Sequence, residues 1–180
     1  MSIIILLVIL ILILAISISW TNHRGAPWAP TPMSAVHKML TMADVGTDDV
    51  VYDLGCGDGR TIITAARSYG ARAVGIEIDP LRYLWCQTLI SVLGLRDRVE
   101  IIFGDFYTQD LSAADVVTCY LLQGTNNKLT SKLKDELQPG TRVVSNYFTF
   151  PGLHLVSQDE DAKVYLYAAK LPVMMDPTGK

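Results

Sequence analysis

The stretch DLGCGDGR, Asp53 to Arg60, decides how the rest of the chain is read. It overlaps the end of a short apolar run with β-branched residues (Val50–Gly55) and precedes TIITAARSY, which has the spacing of a helix closed by Gly70. A strand that runs through a glycine-rich turn into a helix is the first unit of an open α/β sheet, and ligands of such sheets sit beyond that turn. Gly55 permits the tight turn, and Gly57 lets backbone lie against a ligand where a Cβ would intrude. Free N–H groups at the following helix start suit an anionic group. A dinucleotide fingerprint wants glycine at the sixth position counted from Gly55, where this chain has Arg60. It also has a carboxylate, Asp53, where a pyrophosphate would be repelled. A ligand with an ammonium for Asp53 and a carboxylate for the loop amides fits better. That pair of groups is the amino-acid end of S-adenosylmethionine.

Two further acids fall where such a ligand would continue. Glu77 ends the next strand, 22 residues after Gly55, the position from which a carboxylate accepts from both ribose hydroxyls. Asp105 ends the third strand in GDF, in reach of the adenine amino group, with Phe106 to pack on the ring. Cys56 and Ile78 adjoin these residues in the cofactor set, and Thr31 in APTP is placed to close the cleft or simply to make a turn.

Outward from the loop, strands and helices alternate. MSAVHKMLTMADV has apolar residues at helical spacing, with Ser34 as N-cap. Ala73–Ile78 reads as a strand, and Pro80 opens a helix that runs to Gly94. VEIIFGD and ADVVTCYLL are the third and fourth strands, NNKLTSKLKDELQPG is an amphipathic helix, and TRVVSNYFTF is a fifth strand. LHLVS and KVYLYAAK, joined by QDEDA, form a hairpin. The fold expected is a Rossmann-like, doubly wound, mostly parallel seven-stranded sheet with a C-terminal antiparallel hairpin.

The 180 residues allow one domain and a short appendage. Half are hydrophobic and mean hydropathy is +0.29, with the excess at the N-terminus. MSIIILLVILILILAISISW has no charged side chain and as a helix is ~28 Å long, close to the ~30 Å of a bilayer core. The expected division is a transmembrane anchor at 1–20, a Pro-rich linker at 21–33, a cofactor-binding α/β domain at 34–172 and a tail at 173–180. A cleaved signal is the competing reading of the first segment. Against it stand the missing basic n-region and Trp20 at an interfacial position. Arg24 on its C-terminal flank places the domain on the cytoplasmic side of a single-pass protein. Net charge is −3 without a basic block, so no nucleic-acid partner is expected. The three histidines match no metal spacing, and the odd set Cys56, Cys86 and Cys119 reads as reduced thiols.

VVYDLGCGDGRTIITAA, AVGIEID and GDF resemble a seven-stranded class I S-adenosylmethionine-dependent methyltransferase over roughly residues 30 to 170. APWAPTP before VHKML, together with VVTCYLL, KLKDELQPGTRVVSNYF and KVYLY, is similar to the archaeal broad-specificity protein lysine methyltransferase. The same segments resemble the mitochondrial lysine methyltransferases that modify the adenine nucleotide translocase and the c-ring protein of ATP synthase. The resemblance implies N-methylation of lysine in a protein, membrane or membrane-proximal if the N-terminal segment is an anchor. A lipid headgroup as acceptor and a non-catalytic, cofactor-binding protein remain as alternatives. The acceptor mouth is expected over the fourth and fifth strands. Tyr120, Asn146 and Tyr147 are its catalytic candidates, and Phe106, Tyr107 and Trp28 stand near it. The fourth strand ends TCYLL and lacks the [DNS]-P-P-[YFW] run used on planar nitrogens.

Overall fold

The computed structural model describes residues 29–170 together with Ile3, Ile5 and Val8. Seven strands form one sheet: β1 (Val50–Leu54), β2 (Arg72–Glu77), β3 (Val99–Phe103), β4 (Val116–Cys119), β5 (Arg142–Asn146), β6 (His154–Asp159) and β7 (Val164–Ala168). Their order is β3-β2-β1-β4-β5-β7-β6. All pairs are parallel except those of β7, which runs antiparallel to both β5 and β6. The chain winds from β1 outward through β2 to β3, then returns to the other side of β1 as β4. The switch point therefore lies between the C-terminal ends of β1 and β4, and the register there sets Asp53 opposite Thr118.

Helices α1 (Met33–Met42), α2 (Arg60–Tyr69) and α3 (Pro80–Val92) cover one face, and α4 (Gln123–Glu136) covers the other. The period-two alternation of β1 supplies both cores: Val51 faces the three-helix layer, and Tyr52 and Leu54 face the α4 layer. Leu129, Leu133 and Leu137 follow helical spacing and are fully buried, each contributing roughly 1.5–3 kcal/mol by transfer from water. Cys56, Cys86 and Cys119 are buried free thiols.

Several element limits differ from expectation for identifiable reasons. The α1 N-cap is Pro32 with no side-chain cap bond, so Ser34 lies inside the helix. Helix α4 starts at Gln123, three residues early. Strand β5 stops at Asn146 because Tyr147 adopts φ +68°, which ends an extended run and turns 147–150 away from the sheet. Strand β2 ends at Glu77, leaving Ile78 half-buried in the loop beyond it. The α3 boundary is as read: Pro80 occupies the first turn, and Asp79 caps it by accepting from the N–H groups of Leu81 and Arg82.

The expected single-pass membrane location with a cytoplasmic domain is corrected. Among the described residues no helix is long and apolar enough to cross a membrane. A span needs about 20 consecutive apolar residues, and α4, the longest of the helices within residues 29–170, has 14 and carries lysines. The stretch 1–20 on which that expectation rested lies outside the described residues, apart from Ile3, Ile5 and Val8.

Gly75 in β2 shows how closely the layer under the loop is packed. A Cβ there would lie 2.7 Å from Cys56 Sγ and 2.7 Å from Ile62 Cδ1. Gly75→Ala is expected to destabilise the fold by about 1–3 kcal/mol through overpacking, read as a lower urea midpoint at unchanged m-value. An unchanged midpoint would mean that the loop yields freely.

Candidate active site

The site is built at the switch point. Asp53, buried at the end of β1, accepts a hydrogen bond from Thr118 Oγ1 at 2.8 Å. Burial pushes its carboxyl up to about 7, with the Thr118 and Thr61 hydroxyls opposing the shift and the nearby Glu77 and Asp58 charges adding to it. Such a group sits close to its titration point at neutral pH and gains from a cationic partner.

Beyond Asp53 the chain turns on three glycines in the left-handed region, Gly55 (φ +75°), Gly57 (φ +59°) and Gly59 (φ +82°). Their spacing is that of the turn itself: a side chain at any of the three would strain the backbone. Five N–H groups of the turn are engaged within the protein. Gly55 and Cys56 donate to Ile76 O, Gly57 to Glu77 Oε2, Gly59 to Cys56 O and Arg60 to Asp58 Oδ1. These five bonds tie the turn to the end of β2 and to itself. They hold the loop in shape, and Asp58 already places a carboxylate at the start of α2.

Glu77 is the second anchor of the loop. Its Oε2 accepts from Gly57 N and its Oε1 from Asp79 N, both at 2.8 Å. Burial raises its carboxyl above the ordinary value, against the lowering effect of those two N–H groups. Each oxygen keeps a further lone pair for a ribose hydroxyl. Asp105 lies in the turn after β3, where its Oδ1 accepts from Tyr107 N at 3.0 Å. Phe106 and Tyr107 stand with ring centroids 4.8 Å apart, half-buried against the α4-side core.

A cleft opens over Asp53, lined by Ala29, Pro30, Thr31, Gly55, Cys56, Gly57, Asp58, Arg60 and Tyr120. It gathers Thr31, Asp53, Gly55, Cys56, Gly57 and Tyr120 from the residues expected of the site; Glu77, Ile78, Asp105, Phe106, Asn146 and Tyr147 lie outside its lining. Asn146 is buried at the end of β5, and its Nδ2 donates to Ala162 O and Lys163 O in the hairpin turn. Tyr147 is 59% exposed, its N–H held by Lys163 O and its ring edge-on to Phe148.

Sequence reading missed the polar groups that hold the turn after β5. Gln123 brackets Thr149, donating to its carbonyl at 2.9 Å and accepting from its N–H. Asn126 Nδ2 donates to Ser145 Oγ and to the carbonyls of Phe148 and Thr149. The loss of strand character after Asn146 is the outcome of these bonds, and no local pattern announces them. Arg60 was also missed as a site residue. It stood out only as the place where a dinucleotide loop would have had glycine.

Residues 53–157 match the family model described as the ANTKMT methyltransferase domain. The chain is 46% identical over 148 residues to a protein-lysine N-methyltransferase of Saccharolobus islandicus, spanning 78% of this chain and 92% of that one. It is 30% identical over 125 residues to the Xenopus laevis lysine N-methyltransferase named for the c-ring protein of ATP synthase, across 69% of this chain and about half (54%) of the relative. A solved structure of an RNA methyltransferase from Salinibacter ruber, in complex with S-adenosyl-L-homocysteine, is 44% identical. It superposes with a TM-score of 0.73 over 82% of this chain and 99% of its own. A buried acid at the switch point, a glycine turn and an acid ending the next strand, on this sheet order and beside these relatives, fit S-adenosylmethionine. The chain belongs to the ANTKMT methyltransferase domain family and is an S-adenosylmethionine-dependent methyltransferase of the class I fold.

Proposed function

We propose that the acceptor is the side-chain amine of lysine in a protein. The observation that carries this reading is the 46% identity along 92% of a relative that is a protein-lysine N-methyltransferase. Net charge −3 and the absence of a basic block weigh against the RNA acceptor of the Salinibacter relative.

In this reading Asp53 faces the cofactor's ammonium, Glu77 accepts from the ribose hydroxyls, and Asp105 and Phe106 flank the adenine. Gly55, Cys56, Gly57 and Ile78 shape the walls, and Thr31 closes the near side. The bound cofactor supplies a methyl group on a sulfonium, a leaving group already activated. The protein's work is then alignment and exclusion of water. A lysine enters with a pKa near 10.4 and must lose its proton before its nitrogen attacks; an apolar, aromatic mouth favours the neutral amine by desolvation. Tyr120, which lines the cleft, and Tyr147, beyond it, are the walls we assign to that mouth, and their rings tolerate the cationic product. Asn146 serves it as a support, because its amide fixes the hairpin turn that receives the Tyr147 N–H.

The test is a transfer assay with methyl-labelled S-adenosylmethionine and host extract, followed by acid hydrolysis and amino-acid analysis. The expected result is label in methyl-lysine. Label that is sensitive to ribonuclease, or that partitions into organic solvent, would overturn the lysine assignment while leaving the methyltransferase intact.

A further inference from the structure

We propose that Arg60 is a positioning residue that latches the segment 29–31 over the amino-acid end of the cofactor. Its guanidinium is held from one side by Asp58. Nε donates to Oδ1 at 2.9 Å and Nη2 to Oδ2 at 2.5 Å, the two-point fork that fixes a guanidinium plane. Asp58 also accepts from the Arg60 N–H, so the pair is tied to the first turn of α2. On the other side Nη1 donates to Thr31 O at 2.7 Å, a contact across 29 residues of sequence. Burial of the Arg60 and Asp58 side chains is substantial, 27% and 30% exposed, which shields the fork from full solvent screening.

The segment that Arg60 grips has little means of securing itself. Pro30 and Pro32 bring no N–H, and the first α1 bond runs from Val36 N to Pro32 O, leaving the preceding residues outside the helix ladder. Yet Ala29, Pro30 and Thr31 form the wall of the cleft that faces Asp53. A wall of Ala29, Pro30 and Thr31, pinned through the Thr31 carbonyl by one forked guanidinium, excludes water from the Asp53 carboxylate when closed and must part from the loop when the cofactor leaves. Among the described residues lining that cleft, Arg60 is also the one cation. The latch rests on the placement of the cofactor's amino-acid end at Asp53, and is independent of which acceptor is methylated.

The test uses the full chain and S-adenosyl-L-homocysteine as the probe, with Arg60→Ala and Arg60→Lys as variants. Titration calorimetry and stopped-flow release give affinity and off-rate, and hydrogen exchange of the ligand-free protein reports on residues 29–36. Arg60→Ala is expected to weaken binding about tenfold, the scale of a charge-assisted hydrogen bond, with the change in the off-rate and faster exchange in 29–36. The acceptor KM should not follow. Arg60→Lys keeps the charge but cannot serve Asp58 and Thr31 together, so it should behave like alanine more than like the parent. Unchanged exchange and off-rate would overturn the latch, as would full rescue by lysine, which would make Arg60 a simple charge partner. Failure of the unsubstituted chain to bind the probe would instead overturn the cofactor placement beneath it.

Discussion

Replacing Asp53 with asparagine is expected to cost at least about 100-fold in affinity for S-adenosyl-L-homocysteine while making the protein more stable at pH 8. The two effects have one cause. A buried carboxylate whose titration is pushed up to about 7 by desolvation is held in a place where its charge is costly until a cation arrives. The folded protein keeps this proton when the unfolded chain, titrating near 3.8, has lost it. Asp53 therefore subtracts stability progressively as pH rises from about 4 to 7, and the full penalty, on the order of a few kcal/mol, applies above that window. Asparagine can still accept from the Thr118 hydroxyl and carries no charge, so the slope between pH 4 and 7 should flatten in the variant. Binding runs the other way. The ligand's ammonium needs the ionised carboxylate, so affinity of the parent should climb by about tenfold per pH unit below pH 7 and level off above it. Removing one partner from a buried charge pair leaves the other unpaired, which costs about 3–5 kcal/mol and sets the scale of the loss. Urea midpoints and calorimetric Kd across pH 5–8.5 check both halves. A variant that binds within fivefold of the parent would remove Asp53 from the cofactor site.

Asp53 and Glu77 were legible because a parallel sheet delivers its strand ends to one edge, and an acid at each end is visible as a residue type at a spacing. What was not legible depended on register and on contacts across the chain. The Asp53–Thr118 pair joins residues 65 apart and exists because β4 returns beside β1, a fact of strand order that no window contains. Arg60 was visible only as a departure from a glycine pattern, since its meaning comes from Thr31, 29 residues upstream. The run SNYFTF carries strand propensity throughout, yet Tyr147 takes a left-handed backbone, and Gln123 and Asn126 hold the following turn. Tertiary bonds there outweigh a propensity worth about 1 kcal/mol at most. The same residues explain the early start of α4: Q-G-T-N has the composition of a turn, but it is helical, with two of its side chains spent on the β5 exit.

Glu77→Gln should affect stability in the direction opposite to Asp53→Asn, although both changes replace a buried carboxylate near the same ligand by its amide. Asp53 accepts from side-chain hydroxyls, which rotate to suit either a carboxylate or an amide oxygen. Glu77 accepts two rigid backbone N–H groups, from Gly57 on one oxygen and Asp79 on the other. Glutamine offers one oxygen and one NH2, so one of those donors must face another donor in a buried setting. Leaving it unpaired costs about 1–3 kcal/mol, more than the relief gained from discharging a carboxyl that two N–H groups already favour in its ionised form. The Gly57 N–H belongs to the cofactor loop and the Asp79 N–H to the entry of α3. Loss of either contact lets the loop drift from the end of β2, so affinity for S-adenosyl-L-homocysteine should fall about 30-fold or more alongside the lower urea midpoint. If Glu77→Gln keeps the parent's midpoint and loses only affinity, the carboxylate serves the ribose alone. Lost stability with unchanged affinity would make it a brace for the loop and nothing more. The expected joint loss, set against the opposed signs at Asp53, would show that one site contains two kinds of buried acid, one held in reserve for a cation and one already committed to the backbone.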